Sequence, residues 1–344
     1  MGFFKWLFKK PRIELYGLDH AVLNIQLPPQ TMWMNMGYWK CTTAFPEACQ
    51  ALLDQVLEAG PLKAHSPQSI RLLDVGCGCG DQSVYLASLQ KYTSTNNESR
   101  SDSQAISSSI NMHSSPTGTG SISKIASSSL LTTYIGITLE PSQSSMAIQR
   151  VQESRRAGNI PSNTAVDIFC ADAANPASWS GDLQYSIEKL TATSELLDQT
   201  TWLLALDTIY HFRPSRLPIL QFACNSLQAS YMAFDLALGD DVSWFQRFIL
   251  RIVCYALGAP FGNIVTKDEL KGLLVKAGYE PGRIEMKDIS RHVFGGLGKF
   301  LERRVEEASP FGLKMGKYRV AKKVFDWWAR TGVIKGFVVV ARKS

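Results

Sequence analysis

An α/β fold, built on a mostly parallel sheet with helices on both faces and a helical cap, is what this sequence predicts. Three observations carry the prediction. Short runs rich in β-branched residues alternate with helical stretches. The first run ends in a glycine-rich turn. Beyond the fifth run, apolar segments remain that a minimal sheet does not need.

After Pro28-Pro29, residues 47–59 read as a helix, and Ser69-Ile-Arg-Leu-Leu-Asp74-Val75 reads as the first strand. Helical character resumes over 81–90. Residues 93–130 are so rich in Ser, Thr, Asn and Gly that they cannot build a core, and they read as a disordered surface insertion. A second strand follows at 133–138, a helix at 142–157, and further strands at 165–169, 201–207 and 230–237. Helices are expected at 215–227 and 266–277. The stretches 241–262 and 291–331 read as cap insertions that roof the site or complete the core, and 332–341 reads as a closing edge strand.

Composition narrows the function. The 344 residues carry a formal charge of +6, but Lys and Arg are scattered, so specific nucleic-acid recognition is not expected. Seven irregularly spaced cysteines form neither a disulfide framework nor a metal pair. No metal is expected either, because His65, His113 and His292 lie in separate segments. The start, Met1 to Lys10, has no cleavage site and is too short to span a bilayer. Gly2 lacks the downstream Ser or Thr of a myristoylation signal. Phe3, Phe4, Trp6, Leu7 and Phe8 beside Lys5, Lys9 and Lys10 suit an interfacial anchor or a packed terminus. Residues 1–34 are therefore read as an arm, and the expected location is cytoplasmic, with peripheral contact to an intracellular membrane as the further possibility.

The strongest chemical signal is Leu72-Leu-Asp74-Val-Gly76-Cys-Gly78-Cys-Gly80. A strand delivers Asp74 to the mouth of the sheet, and the glycines let the backbone close against a nucleoside and its tail. A dinucleotide site prefers Gly-x-Gly-x-x-Gly, whereas here the spacing is Gly-x-Gly-x-Gly. With that motif the chain resembles the class I S-adenosylmethionine-dependent methyltransferases over about residues 35–290. The likeness implies a Rossmann-like seven-stranded methyltransferase sheet in a domain spanning 35–344. It also implies that Gly76, Gly78 and Gly80 line the methionine moiety, with Asp74 supporting the adjoining backbone and amino group.

Other windows resemble the same family in the same order. Asn35-Met-Gly37-Tyr38-Trp39 is similar to a motif of the cyclopropane-synthase, sterol and tocopherol methyltransferase group, which implies that Tyr38 and Trp39 approach the sulfonium; burying the N-terminal arm is their other reading. Gly136-Ile-Thr138-Leu-Glu140-Pro-Ser-Gln143 implies ribose contacts from Thr138 and Gln143, with Glu140 either joining them or turned away. Cys170-Ala-Asp172-Ala173 implies an adenine contact, although the Asp172 carboxylate could instead cap a helix.

The fourth strand ends in Leu206-Asp207-Thr-Ile-Tyr210-His211-Phe212, at the sheet edge where sites form. Asp207 is counted with the cofactor-binding residues. His211 is the candidate base, Tyr210 would orient the acceptor, and Tyr38 completes the catalytic set; for His211, shaping the pocket is the alternative. S-adenosyl-L-methionine is the expected cofactor, and the partner is a small-molecule or lipid acceptor methylated at carbon, nitrogen or oxygen. Asp288-Ile-Ser290-Arg-His292 resembles the post-core segment of the same group. A macromolecular acceptor, a noncatalytic binding or assembly protein and a nicotinamide oxidoreductase are the competing classes. Oligomeric state is not legible.

Overall fold

A computed structural model describes residues 26–60, 62, 69–90, 129–191, 199–256 and 259–343. The proposed anchor in residues 1–10 and nearly all of the serine-rich insertion lie outside these residues.

Each helix follows from local signals. Helix α1 (Phe45–Ala59) has Pro46 in its first turn, ends at Gly60, and buries Ala48, Cys49, Leu52, Leu53 and Val56 at helical spacing. Strand β1 (Ser69–Val75) leads through the glycine turn into α2 (Asp81–Ala87), and β2 (Leu131–Thr138) leads into α3 (Pro141–Arg156), again opened by a proline. Then come β3 (Ala165–Cys170), α4 (Gly181–Thr191), β4 (Gln199–Leu206), the short α5 (Leu217–Gln221) and β5 (Ser230–Leu238). Helix α6 (Trp244–Ala256) precedes α7 (Lys267–Ala277), whose Thr266–Glu269 capping box and left-handed Gly278 set both its ends. Strand β6 (Ile284–Asp288), α8 (Phe294–Ala308), α9 (Gly316–Thr331) and β7 (Ile334–Ala341) complete the described chain.

The seven strands form one sheet in the order β3-β2-β1-β4-β5-β7-β6. The first five pair in parallel, and β7 runs antiparallel to both β5 and β6. This corrects the expectation that 332–341 closes an edge. Strand β7 lies inside the sheet, buried along Gly336–Ala341, and the edge belongs to β6, which the sequence reading did not identify.

Alternate residues of each central strand feed the two faces. Ile70 and Leu72 of β1 join Leu204 of β4 and Phe234 of β5 in a core shared with α1, α8 and α9. Leu73 and Val75 join Leu203, Ala233 and Val339 in a core covered by α4, α5 and α7. Helices α8 and α9 pack against each other, with Phe294, Phe325 and Trp328 meeting edge to face. The stretch 291–331 therefore completes a core.

The expected boundary between residues 34 and 35 falls inside a strap bound to the domain. Arg150 donates to the carbonyls of Pro29 and Gln30 at 2.9 and 2.7 Å. The Met32 amide donates to Asp81 at 2.9 Å, and the Met36 amide to Asp207 at 2.7 Å.

Candidate active site

A cavity of about 540 Å³ opens at the carboxyl ends of the strands, beneath the strap. Its walls come from the glycine turn after β1, the ends of β2 and β3, the 206–213 segment after β4, and strap residues 32–35. This is where an open parallel sheet, reversing its strand order on either side of β1, leaves a crevice. The volume lies within the range of sites that enclose a small ligand.

The turn at Gly76–Gly80 divides its work. All three glycines adopt positive φ, a conformation in which any side chain is strained. Gly76 and Gly78 line the cavity. A Cβ on Gly76 would lie 2.4 Å from Thr208 Oγ1, so the turn presses on the segment after β4. On Gly78 it would meet only Met34 Sδ, at 3.7 Å, so this position faces the open space. Gly80 departs from what the resemblance implied. Its Cβ would come within 2.6 Å of Ala147 Cα, and it precedes α2 outside the cavity lining, so it serves close packing of α2 on α3.

Asp74 likewise stands behind the wall. Fully buried, it accepts from Gln82 Nε2 at 2.8 and 2.7 Å and from the Tyr134 hydroxyl at 2.5 Å. Burial pushes its carboxyl up to about 6 against these two stabilising bonds. Gln82, itself a lining residue, thereby transmits the position of Asp74 to the cavity.

Thr138, Gln143, Asp172, Ala173, Asp207 and His211 all reach the same cavity. Thr138 Oγ1 donates to Gln143 Oε1 at 2.7 Å. Asp172 accepts the Ala174 amide at 2.9 Å in a local turn and lines the cavity as well. Asp207 adopts φ +57, a left-handed conformation found at strained functional positions. It accepts the Met36 amide on one oxygen and the Tyr210 hydroxyl, at 2.8 Å, on the other. Burial raises its carboxyl to about 7, against the pull of these two bonds. The His211 imidazole is held below its ordinary range by desolvation and by the Arg213 charge, and is therefore neutral and able to accept a proton near pH 7.

Besides Gly80 and Asp74, three expected residues are not in the lining. Tyr38 sets its ring edge-on to His292, 5.2 Å between centroids. Trp39 stacks obliquely on Phe300 at 5.2 Å and donates from Nε1 to the Met36 carbonyl at 2.8 Å. Both rings pack the strap against the 292–300 segment. Tyr210 is buried and donates to Asp207, outside the lining. The described residues of the cap stretches 241–262 and 291–331 also contribute nothing to the lining.

The strap supplies Met32, Trp33, Met34 and Asn35, and the turn adds Asp81. Met32 docks through its backbone amide, which any residue type provides, and so leaves no trace in the sequence; Asn35 docks through its side chain, donating to the Cys49 carbonyl at 3.1 Å. Glu140, left open in the sequence, also lines the cavity. Asp81 is already paired with Arg150 at 3.2 Å and accepts the Met32 amide, and Glu140, Asp172 and Asp207 outnumber Arg213, so the acceptor set suits a ligand carrying positive charge and hydroxyl groups.

No protein-family model and no curated protein sequence matches the chain. Solved structures do match it. The chain is similar to a mycolic acid cyclopropane synthase, CmaA1, complexed with SAH and CTAB, at 13% identity and a TM-score of 0.55 over 94% of this chain and 95% of that one. It is similar to a putative sarcosine dimethylglycine methyltransferase from Galdieria sulphuraria at 12% identity and a TM-score of 0.55, covering 90% and 93%. It is also similar to the [4+2]-cyclase SpnF at 16% identity and a TM-score of 0.52, covering 95% and 92%. The chain has the fold shared by this synthase, this methyltransferase and this cyclase, a Rossmann-like methyltransferase fold with its cavity at the carboxyl ends of the strands.

Proposed function

We propose that the chain is an S-adenosylmethionine-dependent methyltransferase acting on a small, apolar or lipid-like acceptor. The observation that carries this reading is the convergence of four sequence windows on one acidic cavity: Gly76-Cys-Gly78, Thr138 to Gln143, Asp172-Ala173 and Asp207. A dinucleotide offers a pyrophosphate and calls for a cationic or amide-rich cradle, whereas Glu140, Asp172 and Asp207 favour a ligand whose own charge is positive.

When bound, the cofactor supplies an electrophilic methyl group on a cationic sulfur. The backbone at Gly76 and Gly78 would hold its amino-acid tail, with Asp207 facing the positive charge. Glu140 and the Thr138–Gln143 pair would take the ribose hydroxyls, and Asp172 the exocyclic amine with Ala173 leaving room for the ring. Met34, Leu139 and Phe212 give the cavity mouth an apolar lining for the acceptor. His211, neutral and lining the same cavity, would take the proton that an amine or hydroxyl acceptor loses.

The test is transfer of an isotope-labelled methyl group into a fractionated metabolite and lipid extract, read by mass spectrometry against heat-denatured protein. A labelled apolar product is expected. Cofactor binding with no labelled small molecule would turn the reading toward a macromolecular acceptor or a noncatalytic role. Replacing His211 with Ala is expected to lower turnover about a hundredfold with cofactor affinity unchanged, as checked by single-turnover rates and calorimetric titration.

A further inference from the structure

Helix α6 leaves the carboxyl end of β5 with its apolar side on the wrong face. Only Leu250 and Cys254 are buried in the core. The large groups point outward: Trp244 is 81% exposed, Phe245 55%, Phe248 56%, Ile252 53% and Tyr255 89%. At 3.6 residues per turn these five share an arc of about 100°, opposite or beside the buried edge. Arg247 and Arg251 border that arc on one side, and the helix contains no carboxylate.

An exposed aromatic face of this kind needs an occupant. Residues of this chemistry have a natural one: Trp and Tyr settle at the boundary of headgroups and acyl chains, and bordering arginines meet anionic phosphates. The long guanidinium stems allow this without burying charge, since they reach sideways to the interface. Among the described residues no helix is long and apolar enough to cross a membrane, so α6 would lie in the interface plane.

The location fits a working role. The Arg251 guanidinium sits over the Phe261 ring, 5.2 Å from its centre. Two residues on, Asn263 Nδ2 donates to the Tyr210 and Phe212 carbonyls at 3.1 and 2.6 Å. Phe212 and His211 are walls of the cavity. We propose that α6 is a membrane-docking helix that seats the cavity side of the sheet on an anionic bilayer surface through Trp244, Phe245, Phe248, Ile252 and Tyr255, with Arg247 and Arg251 as its electrostatic border. This docking does not depend on the methyl-transfer reading, although it would bring a lipid acceptor to the cavity.

Flotation of the full chain with vesicles tests it, without cofactor, so that failure of either reading is seen separately. Phosphatidylcholine vesicles are compared with vesicles that also contain phosphatidylglycerol. The wild-type chain is expected to float with the anionic vesicles and to be released by salt. The triple variant Trp244→Ser, Phe248→Ser, Tyr255→Ser changes only exposed side chains; it should keep its thermal midpoint and bind at least about tenfold more weakly. The pair Arg247→Glu, Arg251→Glu should abolish the preference for phosphatidylglycerol. Three results would overturn the proposal. They are a wild-type chain that ignores both vesicles, a triple variant that binds as well as wild type, and a wild-type dimer that the triple variant dissolves, which would make a second copy the occupant.

Discussion

Two carboxylates behind and beside the cavity carry different consequences for pH. Asp207 titrates at about 7, so its negative charge is lost as pH falls through neutrality, and attraction for a cationic ligand falls with it. Cofactor affinity, followed by calorimetry across roughly pH 8 to 6, is expected to weaken several-fold. Asp207→Asn, which tolerates the left-handed backbone, should flatten that dependence at the weaker value. Asp74, which does not reach the cavity, bears on stability alone, and in the same sense as Asp207 does. Its folded value of about 6 exceeds the ordinary 3.8, so between these limits the native chain holds more protons than the unfolded one, and its contribution falls as pH rises. Asp74→Asn should remove its share of that slope, and denaturant titrations at a series of pH values would show no difference from wild type if Asp74 were inert. The sequence made both positions visible as strand-end acids. It could not tell the acid that faces the cavity from the one that stands behind it, because that depends on Gln82 and Tyr134, which are eight and sixty residues away.

Among the elements, the glycine turn was fully legible, yet its residues divide in a way the motif conceals. Gly80→Ala would force a Cβ against the α3 backbone and is expected to cost roughly 2 kcal/mol or more, read as a lowered thermal midpoint with or without cofactor. Gly78→Ala has room, so it should cost only about 1 kcal/mol of backbone strain but lose most cofactor binding. Equal loss of stability in both variants would sink this division. Strands β1 to β5 were read within two residues; the apolar runs of β1, β2, β4 and β5 are buried on both faces, whereas β3, exposed at its ends and half-buried between, showed through its β-branched and aromatic residues. Strand β6 escaped notice because Ile-Glu-Met-Lys-Asp is short, largely exposed and edge-like, burying only Ile284 fully. The same omission made β7 look like an edge, although its run of valines already carried the signature of a strand covered on both faces.

At the scale of the molecule, a buried ion pair ties distant parts together. Arg216, fully buried at the head of α5, donates to Asp235 of β5 and to the carbonyl of Asn263, whose own amide holds the 210–212 backbone. Arg216→Met would leave Asp235 charged and unpaired in the core. A loss of about 3–5 kcal/mol is expected, measured by chemical denaturation, whereas the joint change Arg216→Met, Asp235→Leu should recover much of it. None of this was foreseen, since charge pairing across 19 residues has no periodic trace. The order of the sheet has a consequence of a different kind. Because β7 lies between β5 and β6, β6 has no place to attach until the chain some fifty residues further on has been synthesised. Until β7 has emerged, the flank of β5 that it covers has no partner strand, and an unpaired flank of this kind is open to pairing with other chains.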